Sequence, residues 1–171
     1  AGWRAGNRWL GKPGEPGGLA GLKSAEMLPA AGVAGDVVIA VGGDGKAGAA
    51  LLRQAVDGVF FTGSYATGAK VAASTGRRMI KTQLELGGKD PIYVCDDVDV
   101  KVAAAGIADG AFYNTGQSCC PVERVHVHAR VYDALVAAFV AQVQSLRTGY
   151  PLDDTTYNCA LTRITERAVP R

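Results

Sequence analysis

Glycine sets the rhythm of this chain. It contributes 23 residues, most of them in the first 90 positions, where they separate short apolar runs instead of forming a block. Short β-branched runs bounded by glycine predict buried strands, and apolar residues recurring every three or four positions predict helices. Gly17 to Ala31 carries Leu19, Leu22 and Leu28 at near-helical spacing, with Gly32 placed to end the helix. Asp36 to Val41 has the composition of a short strand, Lys46 to Ala55 of a helix, Gly58 to Thr62 of a second buried strand, and Ser64 to Ser74 of another helix. Strand and helix alternating at this pitch predict an α/β fold, a parallel sheet with flanking helices.

Composition shifts after Gly88. Pro91 to Cys95 is a strand, and Asp96-Asp97-Val98-Asp99 supplies caps for a helix running towards Ala111. Val122 to His128 alternates as a strand, and Val131, Leu135, Phe139, Val143 and Leu146 form one helix face. The expected boundary is Gly87-Gly88, dividing the chain into lobes 1–87 and 88–171. There are no internal repeats.

The remaining bulk properties exclude several classes. An apolar share of 48% and a charged share of 20% are those of a globular protein. A net charge of +2 with scattered Lys and Arg gives no reason to expect nucleic acid as a partner. No apolar run is long enough for a membrane span. The first residues lack the apolar stretch of a secretory signal, and the four cysteines do not form spaced pairs, so a reducing, cytoplasmic setting is expected. The opening lacks a Met, and Thr162 to Arg167 reads as a helix start cut short at Pro170-Arg171, so the chain is expected to be a fragment.

Two stretches carry chemistry. Phe112-Tyr113-Asn114-Thr115-Gly116-Gln117-Ser118-Cys119-Cys120 places a thiol just after a Gly-bearing bend, where backbone amides can face a reacting oxygen. A free cysteine is most often a buried structural thiol, but this run is polar and turn-prone, and a helix start after it would favour the thiolate. Leu84-Glu85-Leu86-Gly87-Gly88-Lys89 sets a carboxylate between leucines, an apolar setting suited to a general base. The bland alternative is a salt bridge from Glu85 to Lys81 or Lys89. A thiol with a tuned carboxylate is sufficient for acyl transfer through a thioester.

A nucleotide site has two candidates. Gly43-Asp44-Gly45-Lys46-Ala47-Gly48 formally satisfies G-x-G-x-x-G, but no acidic residue follows at the end of the next strand, so it is read as a tight turn. Phe61-Thr62-Gly63-Ser64-Tyr65-Ala66-Thr67-Gly68 is the better phosphate site, because Gly63-Ser64 opens a helix with free amides. His126 and His128 lie two apart on one strand, but no third ligand has metal-site spacing, so no metal is expected.

The Cys119 and Glu85 stretches together resemble the catalytic cysteine and general-base motifs of the NAD(P)-dependent aldehyde dehydrogenase family, and the separation between them fits that family. The resemblance runs from Gly6-Asn7 to Cys119 and more weakly through Tyr132-Asp133 and Gly149-Tyr150-Pro151-Leu152. It implies a Rossmann-like cofactor lobe leading into part of a second α/β catalytic lobe. It implies Cys119 as nucleophile, two residues after Gln117, with Cys120 the alternative, and Glu85 as the base that activates water. It also implies cofactor contacts at Gly63, Ser64, Gly68 and Leu86, and at Lys12 and Glu15 for the adenosine ribose. A carboxylate at Glu15 would repel a 2′-phosphate, which favours NAD over NADP. The implied partner is a small aldehyde, and the full-length parent is expected to be a homo-oligomer. The family's oxyanion asparagine and its second ribose-binding glutamate fall upstream and downstream of this sequence. Three departures stand out: Gly11 before Lys12, Pro121 after Cys120, and Asn158-Cys159-Ala160-Leu161 in place of a Gly-Pro-bearing segment. They leave a non-catalytic nucleotide-binding or structural remnant as the other reading.

Overall fold

The computed structural model describes residues 5–161. The helix start expected at Thr162 to Arg167 lies outside the described residues. Within them the chain is α/β, with elements in the order β1 (Trp9–Gly11), α1 (Gly18–Ala30), β2 (Val38–Ala40), α2 (Gly45–Leu51), β3 (Gly58–Gly63), α3 (Tyr65–Gly76), β4 (Lys81–Leu86), β5 (Asp90–Val94), α4 (Val100–Phe112), β6 (Val122–Val127) and α5 (Tyr132–Ser145). By compactness the chain divides into two units. The first runs up to Phe61 and takes in Ala69–Gln83; the second is Thr62–Gly68 together with the chain from Leu84 onward.

The helices end where their capping residues stand. Asp44 accepts from the Lys46 amide at 2.8 Å and starts α2. Asp99 accepts from the amides of Lys101 (2.9 Å) and Val102 (3.1 Å) and starts α4, satisfying donors that have no partner inside the helix. α1 closes at Ala31, and Gly32 follows with φ of 87°, the left-handed residue expected there. α2 is shorter than the predicted Lys46–Ala55 helix. The Gly43–Gly48 run, expected to be a tight turn, is instead the entry to α2: Gly43 sits at φ 142°, Asp44 caps the helix, and Gly45–Gly48 are its first residues.

The strands pair two by two: β1 with β2, β3 with β4, β5 with β6. The expected parallel pairing is present in β1–β2 and β5–β6, and among the described residues the strands form three separate two-stranded ladders. Strand period reveals which segments extend, but the partner of each is a long-range choice that local residues do not encode. In β5–β6 the register slips between Asp90, opposite Val122, and Pro91, opposite Arg124. Proline has no N–H to give a ladder, so the neighbouring strand passes Glu123 over as an extra residue.

The second unit has the firmer core. Val94 of β5, Ala104 and Ile107 of α4 and Leu135 of α5 form its centre, flanked by Ile92, Val122, Val131 and Phe139. Ala108 is fully buried and Leu135 is 3% exposed. Phe112 and Phe139 meet with ring centroids 6.3 Å apart at 41°, a tilted aromatic pair. The predicted α5 face is thus the one that packs, through Val131, Leu135 and Phe139. Among the described residues no helix is long and apolar enough to cross a membrane.

Candidate active site

Cys119 sits where two chain segments run side by side. α4 ends at Phe112, and the chain turns through Asn114 (φ 51°), Thr115 (φ 60°) and Gly116 (φ 71°), three successive left-handed residues. Glycine takes this conformation freely and asparagine tolerates it, but a β-branched threonine there is an outlier that costs about 1–3 kcal/mol. The turn is held locally by Asn114 and Gln117. The Asn114 side-chain amide donates to the Gln117 carbonyl at 3.0 Å, and the Gln117 amide and side chain both donate back to the Asn114 carbonyl at 3.1 Å. From there the chain bends through Ser118 to Cys120 and enters β6 at Val122. The helix start expected after this turn is therefore absent, and the electrostatic help it would have given the thiolate is absent with it. The alternating residues from Val122 to Val127 commit that segment to a strand.

Cys119 and Cys120 are both exposed free thiols. Their sulfurs lie 4.0 Å apart, and the Ser118 hydroxyl accepts from the Cys120 amide at 3.4 Å. The facing segment is the glycine loop after β4. The Gly88 amide donates to the Cys119 carbonyl at 2.8 Å, and the Asp90 amide donates to the Pro121 carbonyl at 2.9 Å. A Cβ on Gly88 would lie 3.1 Å from the Cys119 carbonyl oxygen, so only glycine permits this approach without displacement. The base motif and the thiol motif are thereby joined backbone to backbone, three residues beyond Glu85.

Glu85 itself is exposed, on the face of β4 that also carries Lys81 and Gln83. Leu84 and Leu86 point to the opposite, half-buried face, as strand period requires. The apolar flanks read from the sequence therefore do not enclose the carboxylate. Lys89, one of its expected ion-pair partners, pairs with Glu123.

The loop opening α3 is in the same unit. The Ser64 hydroxyl caps it, accepting from the Thr67 amide at 3.3 Å and donating to the Thr67 hydroxyl at 3.1 Å. Gly68 packs so closely that a Cβ there would lie 2.7 Å from a terminal methyl of Leu86. Two of the expected cofactor residues, one on α3 and one on β4, are in this way direct neighbours. Gly63 ends β3 just before Ser64.

Lys12 and Glu15 form a site of their own in the first unit. The Lys12 ammonium donates to the Pro13 carbonyl (2.7 Å), the Gly43 carbonyl (2.9 Å) and the Glu15 carboxylate (3.1 Å). Its side chain is 15% exposed, while that of Glu15 is 64% exposed. Glu15's own backbone amide, and then Lys12, hold its carboxyl below the usual value. A fixed cation beside an anionic acceptor is a donor–acceptor set that suits a sugar diol. His128 is not set beside His126 on the strand: it follows β6 and caps the next turn, its Nδ1 accepting from the Arg130 amide at 3.3 Å.

The aldehyde dehydrogenase family model matches residues 3–168. This chain belongs to the aldehyde dehydrogenase family. It is 38% identical over 152 residues to a betaine aldehyde dehydrogenase of Brucella anthropi, covering 88% of this chain and 31% of that protein. It superposes on an NAD-dependent aldehyde dehydrogenase from Sinorhizobium meliloti with a TM-score of 0.89 at 33% identity, covering 94% of this chain and 32% of the other. An aldehyde dehydrogenase from Bacillus cereus, in its NAD+ complex, superposes with a TM-score of 0.81 at 34% identity, covering 87% of this chain and 31% of that one. The chain spans about a third of the length of these relatives.

Gly88 was missed as a residue of the site, although a glycine pair after a strand that ends in the candidate base is a signal for close backbone approach. So was Gly43, whose carbonyl receives Lys12. Thr115, whose hydroxyl donates to the Cys159 carbonyl at 3.0 Å, had no sequence signal at all.

Proposed function

We propose that this chain is the central part of an enzyme that oxidises an aldehyde to a carboxylic acid with NAD, with residues 1–87 belonging to a cofactor lobe and 88–171 to a catalytic lobe. The observation that carries the reading is the hydrogen bond from Gly88 to the Cys119 carbonyl, which ties the base-bearing strand to the thiol-bearing loop. Cys119 attacks the aldehyde carbon as a thiolate, giving a thiohemiacetal whose oxyanion is met in part by the Cys119 N–H. Loss of hydride from that carbon leaves a thioester on Cys119. Glu85 takes a proton from water, the resulting hydroxide attacks the thioester carbon, and the thiolate leaves with the acid released. An exposed carboxylate on the β4 face is compatible with this task, since its partner is a water molecule.

NAD, when bound, supplies the hydride acceptor. The residues that hold it are Ser64 and Gly63 at the α3 N-terminus for the pyrophosphate, with Gly68 and Leu86 beside them, and Lys12 and Glu15 for the ribose hydroxyls. The charged Glu15 carboxylate disfavours a 2′-phosphate, so NAD is preferred to NADP. The parent is a cytoplasmic homo-oligomer acting on a small aldehyde, without nucleic-acid, membrane or metal partners, and the 171-residue chain alone is inactive.

The test is Glu85→Gln in the full-length protein, followed by NADH absorbance. The expected result is a rapid burst of about one equivalent per site followed by slow turnover, because acylation is spared and deacylation is not. Loss of the burst would mean that Glu85 also activates Cys119, and the division of labour would be wrong.

A further inference from the structure

We propose that Tyr157 is a positioning residue for Cys119, acting together with Thr115 to hold the left-handed turn from which the thiol is presented. The proposal rests on Cys119 being the nucleophile. A β-branched residue in left-handed conformation persists only when its surroundings over-determine it. The bonds between Asn114 and Gln117 are local to the turn. Two further contacts reach it from a distant part of the chain. The Thr115 hydroxyl donates to the Cys159 carbonyl at 3.0 Å, across 44 residues. The Tyr157 hydroxyl donates to the Asp109 carboxylate, across 48 residues.

Asp109 is the base of the turn. It lies in the last turn of α4, and its carbonyl accepts from the amide of Tyr113, the first residue beyond that helix. The segment that supplies both distant contacts is itself closed into a loop. The amides of Tyr157 and Asn158 both donate to the Arg147 carbonyl, at 2.8 Å and 3.0 Å, and the Gly149 amide donates to the Asn158 carbonyl at 2.9 Å. Asn158 is 7% exposed. Residues 147–159 therefore form a preassembled strap with two anchor points, one before the turn at Asp109 and one within it at Thr115. Cys119 lies four residues beyond Thr115, with its carbonyl fixed on the far side by Gly88. With the strap released, the two distant bonds no longer oppose relaxation of Thr115 to an ordinary backbone angle, and that relaxation turns the Ser118–Cys119 segment.

This assigns a role to a segment that departs from the family pattern, since Tyr157 directly precedes the Asn158-Cys159-Ala160-Leu161 stretch. The role is steric and geometric: neither hydroxyl touches the reacting atoms.

The test is alkylation of the full-length protein by iodoacetamide near neutral pH, with adducts quantified at Cys119 and, in the same digest, at Cys95, an exposed free thiol that serves as internal reference. In the unsubstituted protein Cys119 is expected to react faster than Cys95. Tyr157→Phe and Thr115→Val, which remove one hydroxyl each, are expected to slow Cys119 by about tenfold with Cys95 unchanged, a loss typical of a displaced reacting group. Thr115→Ser, which keeps the hydroxyl, restores the rate. An unchanged Cys119 rate in both hydroxyl-deletion variants overturns the proposal, as does a parallel change at Cys95, which would mark general loosening. Should Tyr157→Phe fail to fold, Asp109→Ala removes the acceptor of the same bond and is judged by the same result. Cys119 reacting no faster than Cys95 in the unsubstituted protein is a separate outcome that refutes the nucleophile assignment and the positioning role with it.

Discussion

Gly88→Ala separates stability from reactivity at the junction of the two motifs. The Gly88 amide donates to the Cys119 carbonyl at 2.8 Å, and an alanine Cβ would come to 3.1 Å from that carbonyl oxygen and from a carboxylate oxygen of Asp90. The Asp90 side chain can rotate away, but the Cys119 carbonyl can move only with its backbone. Gly88 is not one of the positive-φ glycines, so alanine can adopt its backbone angles. Replacing glycine at such a position stabilises by about 0.4–1 kcal/mol through the unfolded chain. The crowding opposes this by about 1 kcal/mol, the low end for overpacking, because Gly88 is exposed and its neighbourhood can yield. The two effects nearly cancel, and the denaturant midpoint should move by less than about 1 kcal/mol's worth. Reactivity has no such compensation. A few tenths of an ångström at the Cys119 carbonyl propagates to the thiol, and since a misplacement of about 1 Å costs about a hundredfold, a loss of several-fold to about tenfold is expected. The assay pairs urea unfolding with turnover on an aldehyde panel in the full-length protein. A loss of more than about 2 kcal/mol in stability, or full turnover with unchanged stability, would refute the reasoning.

Three further outcomes follow from the same geometry. Glu15→Gln removes a carboxylate that would repel a 2′-phosphate at the proposed ribose site, so it should shift the NADP-to-NAD affinity ratio towards NADP; an unchanged ratio in a titration would remove Glu15 from the ribose site. Tyr157, held protonated first by its hydrogen bond to Asp109 and then by burial, is pushed up from 10.0 to about 12, so the stability it adds is complete below pH 10.0 and is lost as pH rises towards about 12. In a phenolate absorbance titration Asp109→Ala, which removes the acceptor, should bring one tyrosine back to earlier ionisation, and an unaltered curve would deny the bond. Leu135→Ala, in a core where Leu135 is 3% exposed, should cost about 2–5 kcal/mol in urea unfolding, and a cost below about 1 kcal/mol would mean that the α4–α5 contact is not the core of the second unit.

What the sequence reveals here depends on range. The helices were legible because their signals are local. Asp99 caps α4 and Gly32 follows α1 by chemistry confined to a few neighbouring residues. The existence of β2, β3, β5 and β6 was legible for the same reason, but strand pairing was not, since the slip at Pro91 depends on Glu123 more than thirty positions away. The expected surroundings of Glu85 erred on a point that local geometry could have settled. Residues adjacent along a strand face opposite sides, so Leu84 and Leu86 cannot desolvate the carboxylate between them. The expected helix after Gln117 conflicted with the alternating pattern of Val122 to Val127, and the strand prevailed.

The left-handed run at Asn114, Thr115 and Gly116 is the feature that no local rule predicts. Propensity argues against threonine in that conformation, and Asn114 and Gly116 mark a turn there without marking its hand over three residues. Its presence becomes intelligible from contacts that cross much of the second unit. Thr115 is bonded to Cys159, and Asp109, one helical turn before the bend, to Tyr157. Between the end of α4 at Phe112 and the start of the parallel strand β6 at Val122 the chain has nine residues in which to reverse direction. A run of left-handed residues achieves the reversal in three positions, and the strap from 147–159 stabilises it. Local consistency therefore fails at the residues next to Cys119, where long-range contacts must supply what the threonine's own preference opposes.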